Sequence, residues 1–105
     1  MSKTLTRLER TIAQRSAASP DTSYVAKLNA NGVPKIAQKV GEEATETVIA
    51  AVSGSNEELV SESADLLFHL LVLLGAKDVP LQAVLAELDR REGLSGLEEK
   101  ASRKG

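Results

Sequence analysis

Apolar residues recur at intervals of three and four along most of this chain, and no stretch alternates apolar and polar residues as a half-buried strand does. Leu5, Leu8 and Ile12 show the helical spacing near the N-terminus. Glycines cluster near the boundaries of the periodic segments. The pattern therefore predicts an all-α fold of about five helices. The predicted helices cover residues 4–17, 23–30, 34–52, 57–76 and 80–91.

The connections carry residues that end and start helices. Gly32 can supply the left-handed conformation that often follows a helix, and Pro34 can open the third helix, where its missing donor costs nothing. The run Ser53-Gly54-Ser55-Asn56 ends that helix and also caps the fourth. We predict one domain over residues 1–92, followed by a polar, glycine-rich flexible tail over residues 93–105.

Composition excludes several classes of function. The formal net charge of -2 gives no electrostatic reason to expect nucleic acid or an anionic membrane as partner. The chain has no cysteine, which excludes disulfides, zinc-thiolate sites, iron–sulfur clusters and a cysteine nucleophile. The N-terminal residues lack the apolar core of a secretory signal, and the longest apolar run, residues 70–74, is too short to span a bilayer. We therefore expect a soluble, cytoplasmic protein.

Two short acidic motifs carry the chemistry. Glu43 and Glu46 lie three residues apart in the third predicted helix, as do Glu62 and Asp65 in the fourth. Neighbouring helices could thus present two pairs of carboxylates to one point, which suits a hard cation such as Mg²⁺ or Mn²⁺ that is completed by substrate phosphates. The ordinary interpretation of one such acidic motif is a solvated helix face. Two motifs together favour a metal site.

The segment around Asp65 and His69 is apolar on nearly all sides, which is typical of a buried helix. Carboxylates buried there need neutralisation by lysine or metal. His69 itself is more often a satisfied core histidine than a ligand, although it could also contact phosphate or support the site. Neither acidic motif has the Glu-x-x-His pattern of di-iron bundles, so the all-oxygen set favours magnesium or manganese.

The motifs EExxE (42–46) and ExxD (62–65) resemble the signature of the all-α nucleotide pyrophosphohydrolase superfamily, the MazG-like proteins. Within it, the chain is similar to the phosphoribosyl-ATP pyrophosphatase family over residues 4–91. The similarity lies in SYVAKL (23–28), GVPKIAQKVGEEATETVIAA (32–51), ESADLLFHLLVLL (62–74) and VLAELDRR (84–91). Phe68 stands where that family often has tyrosine.

The resemblance implies Mg²⁺-dependent hydrolysis of phosphoribosyl-ATP to phosphoribosyl-AMP and pyrophosphate, an early step of histidine biosynthesis. This chemistry needs carboxylates that hold the metal and cations that neutralise the leaving group. We assign the metal to the two acidic pairs. Glu42, adjacent to Glu43, could orient or activate water, or could be a solvated glutamate. Lys39, one turn before Glu43, is the leading candidate for a phosphate contact, with surface lysine as its ordinary interpretation.

Other candidate substrate residues rest on weaker signals. Lys35 and Lys27 are further possible phosphate contacts, each with a surface lysine as the alternative. Arg15, Ser23 and Tyr24 resemble family positions near the substrate. Taken from the sequence alone, Ser23 is a helix cap and Tyr24 a half-buried ring.

Two rival functions remain open at this point. One is a broader house-cleaning nucleoside triphosphate pyrophosphohydrolase with the same metal chemistry, and the other is a non-catalytic helical interaction module. The resemblance also implies a homodimer that completes the helix bundle. From the helical wheel of the fourth helix, we predict that its interface lies around Phe68, Leu71 and Val72, away from the arc of Leu59, Leu66, Leu70 and Leu74.

Overall fold

The computed structural model describes residues 3–93, and over that range it contains five α-helices and no strands. They are α1 (Lys3–Ser16), α2 (Tyr24–Asn31), α3 (Val33–Ser53), α4 (Asn56–Ala76) and α5 (Leu81–Glu92). The predicted all-α fold is confirmed, and every predicted helix boundary lies within one residue of the observed one. From residue 94 onward, the predicted tail falls outside the described residues.

Local hydrogen bonds explain why the helices start and end where they do. The Ser23 hydroxyl accepts a hydrogen bond from the Ala26 amide at 3.1 Å and caps α2. At the start of α4, Ser55 and Glu58 form a reciprocal capping box, in which each side chain accepts a hydrogen bond from the other's backbone amide. Gly32 has a φ of 91°, a conformation that glycine adopts without steric cost, and it separates α2 from α3.

The central unit is a helical hairpin made of α3 and α4, which pack against each other along their lengths. Only Gly54 and Ser55 lie between the two helices. A Cβ atom at Gly54 would lie 3.1 Å from the Ala50 carbonyl oxygen and 2.9 Å from Glu58 Oε1. The tight turn therefore favours glycine, and it brings the acidic motifs of the two helices face to face.

The hydrophobic core lies in the half of this hairpin that is remote from the turn, where α1, α2 and the start of α5 pack on it. Ile36 of α3 and Val72 of α4 are almost fully buried at its centre. The Leu81 amide at the start of α5 donates a hydrogen bond of 2.8 Å to the Glu9 carboxylate of α1, which ties the fifth helix to the first. The core residues are Ile12, Val25, Leu28, Ile36, Leu71, Val72 and Leu81.

The structure contradicts the premise of the predicted subunit interface, which was an exposed apolar strip around Phe68, Leu71 and Val72. Leu71 and Val72 are buried within the chain's own core, with 5% and 1% of their surface exposed, and Phe68 packs against that core. The helical wheel identified which residues share a face of α4, but it could not show which face α1 and α2 would cover. The large exposed apolar side chains of α3 and α4 lie instead between the turn and the middle of the hairpin: Val48, Ile49, Val52, Val60 and Leu67.

By length and composition alone, α4 could cross a membrane. The same test is passed by the core helix of a soluble protein, and α4 packs along α3 while carrying two acids of the candidate site, Glu62 and Asp65. Its apolar character is therefore accounted for in part by the hairpin and the core.

A surface ion-pair cluster on α5 gives a pH-dependent prediction. Glu87 accepts hydrogen bonds from Arg90 at 3.0 and 2.7 Å and from Arg91 at 2.9 Å, and these bonds lower the pKa of Glu87 to about 2. Because the folded-state pKa lies below the ordinary value of 4.5, the cluster stabilises the protein above pH 4.5, and this contribution falls as the pH drops towards 2. We expect Glu87→Gln to lower the melting temperature at neutral pH, by a margin that shrinks below pH 4.5.

Thermal melts followed by circular dichroism between neutral and acidic pH would measure this margin. Asp89→Asn removes one carboxylate from the same exposed helix and serves as the matched control. If Glu87→Gln lowers the melting temperature by the same amount across the acidic range, the proposed stabilisation by the Glu87 ion pairs is contradicted.

Candidate metal and phosphate site

The acidic motifs of α3 and α4 come together as predicted. Glu43, Glu62 and Asp65 each offer a carboxylate oxygen, and these three oxygens lie within 4.8 Å of one another. Spacings of three residues place each pair on one side of its helix, and the short turn aligns the two sides. Glu43 is 6% exposed, Glu62 is partly buried and Asp65 is exposed, so the cluster extends from the helix interface to the protein surface.

Glu62 is the member of the cluster with an unsatisfied carboxylate oxygen, whereas Glu43 has Lys39 as a positive partner at 3.7 Å. The Glu62 Oε1 atom is buried and accepts no hydrogen bond from any residue of the 3–93 range. Burial raises the pKa of Glu62 above its ordinary value, and the nearby charges of Glu46, Asp65 and Glu43 raise it further. Glu46, the fourth predicted carboxylate, is not one of the three whose oxygens lie within 4.8 Å of one another, but it raises the pKa of Glu62 and so lies near the cluster.

The arrangement fits a divalent cation. Mg²⁺ and Mn²⁺ prefer carboxylate oxygens, and the buried, unpartnered Glu62 oxygen is an acceptor that such an ion would satisfy. Like charges held this close disfavour the ionised carboxylates unless a cation compensates them. Glu43, Glu46, Glu62 and Asp65 are therefore the residues that could hold it.

Lys39 lies at the edge of the cluster, on α3. Its ammonium nitrogen is 3.7 Å from Glu43 Oε2 and 3.4 Å from Glu42 Oε1, and about a third of the side chain remains exposed. The nearby Tyr24 phenol, which is negative only once it has lost its proton, and the neighbouring carboxylates of Glu42 and Glu43 raise the pKa of Lys39, whereas burial lowers it. The lysine is thus charged at neutral pH and close to the acids, where it could contact a phosphate.

Glu42 lies outside the group of three acids. It is exposed and accepts a hydrogen bond of 2.9 Å from Gln38. This bond, together with Lys39 and Lys35, holds the pKa of Glu42 below its ordinary value. A carboxylate with a lowered pKa is a weak general base, so the arrangement favours orientation of water over proton abstraction.

Tyr24 and His69 lie next to the cluster and contact each other. The Tyr24 hydroxyl oxygen is 2.8 Å from His69 Nε2, and His69 Nδ1 is 2.8 Å from the Asp65 carbonyl oxygen. His69 is 6% exposed and fully hydrogen-bonded, as a satisfied core histidine would be, yet one of its partners is a backbone atom of a candidate metal ligand.

The remaining predicted residues are less closely tied to the acids. The Ser23 hydroxyl donates to the Arg15 carbonyl oxygen at 3.0 Å while it caps α2, so both of its roles in the structure are local. The side chains of Arg15, Lys27 and Lys35 are exposed. Lys35 acts on Glu42 through its charge and so lies on the same side of α3 as the site.

Two features of the site were missed from the sequence. Gln38 supports Glu42, and its position one turn earlier on α3 was a usable signal. The hydrogen bond between Tyr24 and His69 joins residues 45 positions apart, for which a single sequence carries no periodic signal.

Comparison with known proteins gives one consistent result. The family described as phosphoribosyl-ATP pyrophosphohydrolase matches residues 5–92 of this chain. The match includes both acidic motifs as well as Lys39, Tyr24 and His69.

Three bacterial relatives, each called phosphoribosyl-ATP pyrophosphatase, are similar over nearly their whole length. The protein of Erythrobacter litoralis is 74% identical over 100 residues, covering 95% of this chain and 96% of the relative. That of Novosphingobium aromaticivorans is 70% identical, covering 94% and 92%, respectively. That of Rhizorhabdus wittichii is 65% identical, covering 98% and 97%.

Proposed function

Because this chain belongs to the phosphoribosyl-ATP pyrophosphohydrolase family, we propose that it hydrolyses phosphoribosyl-ATP to phosphoribosyl-AMP and pyrophosphate, an early step of histidine biosynthesis. The bond broken is the one between the α and β phosphates. The observation that best supports this chemistry is the meeting of Glu43, Glu62 and Asp65 within 4.8 Å across the hairpin. Such a cluster is suited to a substrate whose reacting groups are anionic and bound through metal.

In this proposal, Glu43, Glu46, Glu62 and Asp65 hold Mg²⁺, for which Mn²⁺ can substitute. When bound, the cation supplies a Lewis acid for phosphate oxygens and lowers the pKa of a coordinated water. Lys39 neutralises charge on the departing pyrophosphate, because its ammonium group is charged, partly exposed and next to Glu43. Glu42 orients water at the exposed edge of the site.

Lys35, Lys27 and Arg15 extend the positive charge available to the phosphates, since all three side chains are exposed. Tyr24 and His69 complete the substrate side of the site. Ser23 contributes by fixing the start of α2, and hence the position of Tyr24, rather than through a free hydroxyl.

A substrate panel tests this proposal. Purified protein is incubated with Mg²⁺ and with phosphoribosyl-ATP, ATP or deoxynucleoside triphosphates, and pyrophosphate release is measured. We expect turnover of phosphoribosyl-ATP to exceed that of the other nucleotides by far. Comparable rates across the panel would favour the house-cleaning function, and no turnover of any nucleotide would favour the interaction module.

Metal should also stabilise the fold. A ligand that binds only the folded state adds about 2.7 kcal/mol when its concentration is 100 times its Kd. For a domain of this size, each kcal/mol raises the melting temperature by roughly 4–8 °C. We expect millimolar Mg²⁺ or Mn²⁺ to raise the melting temperature of protein freed of metal with a chelator.

Glu62→Gln should abolish this rise. It should also raise the melting temperature of the metal-free protein, since it removes one of the crowded charges. Glu57→Gln, an exposed acid at the start of the same helix, should respond to metal as the wild type does. An unchanged melting temperature in the wild type at millimolar metal, with or without pyrophosphate, would contradict the metal assignment.

The proposed assembly is a homodimer in the cytoplasm, with no nucleic acid or membrane as partner. Val48, Ile49 and Val52 of α3 and Val60 and Leu67 of α4 are 45–82% exposed in the single chain. They extend from the turn to the middle of the hairpin, on surface that the core contacts of α1 and α2 leave exposed. A second copy that packs on this part of the hairpin would remove these side chains from water and complete a helix bundle.

A further inference from the structure

Every benzenoid ring of this chain, together with its single histidine, lies in one cluster beside the acidic site. The sequence contains one tyrosine, one phenylalanine, one histidine and no tryptophan. Tyr24 stacks on Phe68 with ring centres 6.1 Å apart and an angle of 18° between the planes. His69 meets both rings edge-on, at centre distances of 5.7 and 5.2 Å. Packing thus fixes the orientation of Tyr24.

The hydrogen bonds of His69 determine which ring nitrogen carries the proton. A backbone carbonyl only accepts hydrogen bonds, so the short contact between Nδ1 and the Asp65 carbonyl oxygen requires a hydrogen on Nδ1. In the neutral ring, Nε2 is then an acceptor. With the ring in this neutral form, the Tyr24 hydroxyl donates its hydrogen to Nε2, at 2.8 Å.

This assignment restricts what Tyr24 can bind. Its only hydroxyl hydrogen points inward, to a histidine that is 6% exposed, whereas Tyr24 itself is 49% exposed. The oxygen therefore offers only lone pairs to a ligand. Phosphate oxygens are acceptors and gain nothing from such a group, whereas an O–H donor does.

We infer that His69 is a positioning residue that acts through Tyr24, which it holds as a pure hydrogen-bond acceptor for an O–H donor in the site. That donor is either a sugar hydroxyl of the bound nucleotide or a water held at the acidic cluster. The inference rests on the proposed function, because it assigns Tyr24 a ligand in that reaction. It gives Tyr24 and His69 one shared role, distinct from the phosphate contact expected of Lys39.

A double-mutant cycle tests the coupling. Tyr24→Phe keeps the ring stack and removes the hydroxyl. His69→Asn can still donate to the Asp65 carbonyl but cannot reach Tyr24. We expect each variant to lower kcat/KM for phosphoribosyl-ATP by roughly tenfold, the scale of one net hydrogen bond, and the double variant to be no worse than either.

His69→Gln provides the conservative rescue. Its side-chain carbonyl can reach the place of Nε2 and accept from Tyr24, so we expect it to recover most of the activity that His69→Asn loses. A loss that appears in KM identifies the sugar hydroxyl as the donor, and a loss that appears in kcat identifies the water. Additive losses, or wild-type kinetics in Tyr24→Phe, would overturn the inference.

A measurement that needs no turnover separates this inference from the proposed function. Because the chain has one histidine, the ring signals in a ¹⁵N spectrum of the full protein belong to His69 without further assignment. We expect the tautomer with hydrogen on Nδ1, and a shift of the Nε2 signal in Tyr24→Phe. A ring with hydrogen on Nε2, either alone or together with Nδ1, would refute the coupling, whether or not the protein hydrolyses phosphoribosyl-ATP.

Discussion

Asp65→Asn is expected to lower kcat/KM for phosphoribosyl-ATP by at least about 100-fold, because loss of a group that merely supports a metal ligand already costs 10- to 100-fold. The substitution removes a charge and a strong oxygen ligand from the cluster with Glu43 and Glu62 while it conserves side-chain volume. It leaves the backbone carbonyl that accepts from His69 unchanged. Steady-state pyrophosphate release at saturating Mg²⁺ measures the effect.

The fold should survive this change, since Asp65 is exposed in the described chain and its removal reduces repulsion in the site. Circular dichroism should therefore show the helix content of the wild type. Glu57→Gln is the matched acid-to-amide control on the same helix and should retain full activity. If Asp65→Asn turns over substrate at the wild-type rate, the metal assignment fails.

Leu71→Asp is expected to unfold the protein. Leu71 is 5% exposed within a core to which all five helices contribute, and no lysine or arginine is among the buried residues of the described chain. An unpaired charge placed there costs several kcal/mol, against a total stability of roughly 5–15 kcal/mol for a domain. A chemical denaturation curve or a thermal melt would show a large loss of stability or an absent folding transition.

Val52→Lys is expected to weaken the proposed dimer without destabilising the fold of the single chain. Val52 is 82% exposed near the end of α3, where a positive charge is compatible with the helix dipole, so the fold of the single chain should be nearly unaffected. If the exposed half of the hairpin forms the homodimer, this variant should dissociate at concentrations where the wild type is a dimer. Sedimentation velocity of both proteins decides this, and a wild-type monomer at micromolar concentration would exclude the proposed interface.

The sequence was most informative where local chemistry determines structure. Ser55 and Glu58 have the spacing of a capping box, and the turn before α4 follows from it. The proximity of Glu43, Glu62 and Asp65 could be predicted because the helical periodicity of α3 and α4 and the short turn between them are enough to align these residues. Helix boundaries and the acidic cluster were therefore predictable.

Long-range packing was not predictable from one sequence. Leu71 lies on a helix that is apolar on nearly all sides, so periodicity could not show which side would meet α1 and α2. The bond from the Leu81 amide to Glu9 joins residues 72 positions apart, and only the assembled fold reveals it. The hydrogen bond between Tyr24 and His69 is likewise a long-range contact that only the assembled fold reveals.

The two-residue turn at Gly54 and Ser55 also bears on how the chain folds. The carboxylates proposed to hold the metal all lie within residues 43–65, so closing this one short connection is enough to bring them together. Closing a short loop costs little chain entropy, and such local contacts form early in folding. We therefore expect the acidic charges to meet before α1 and α2 dock, so that their repulsion opposes an early step of folding. A cation that binds at this stage would speed folding as well as slow unfolding.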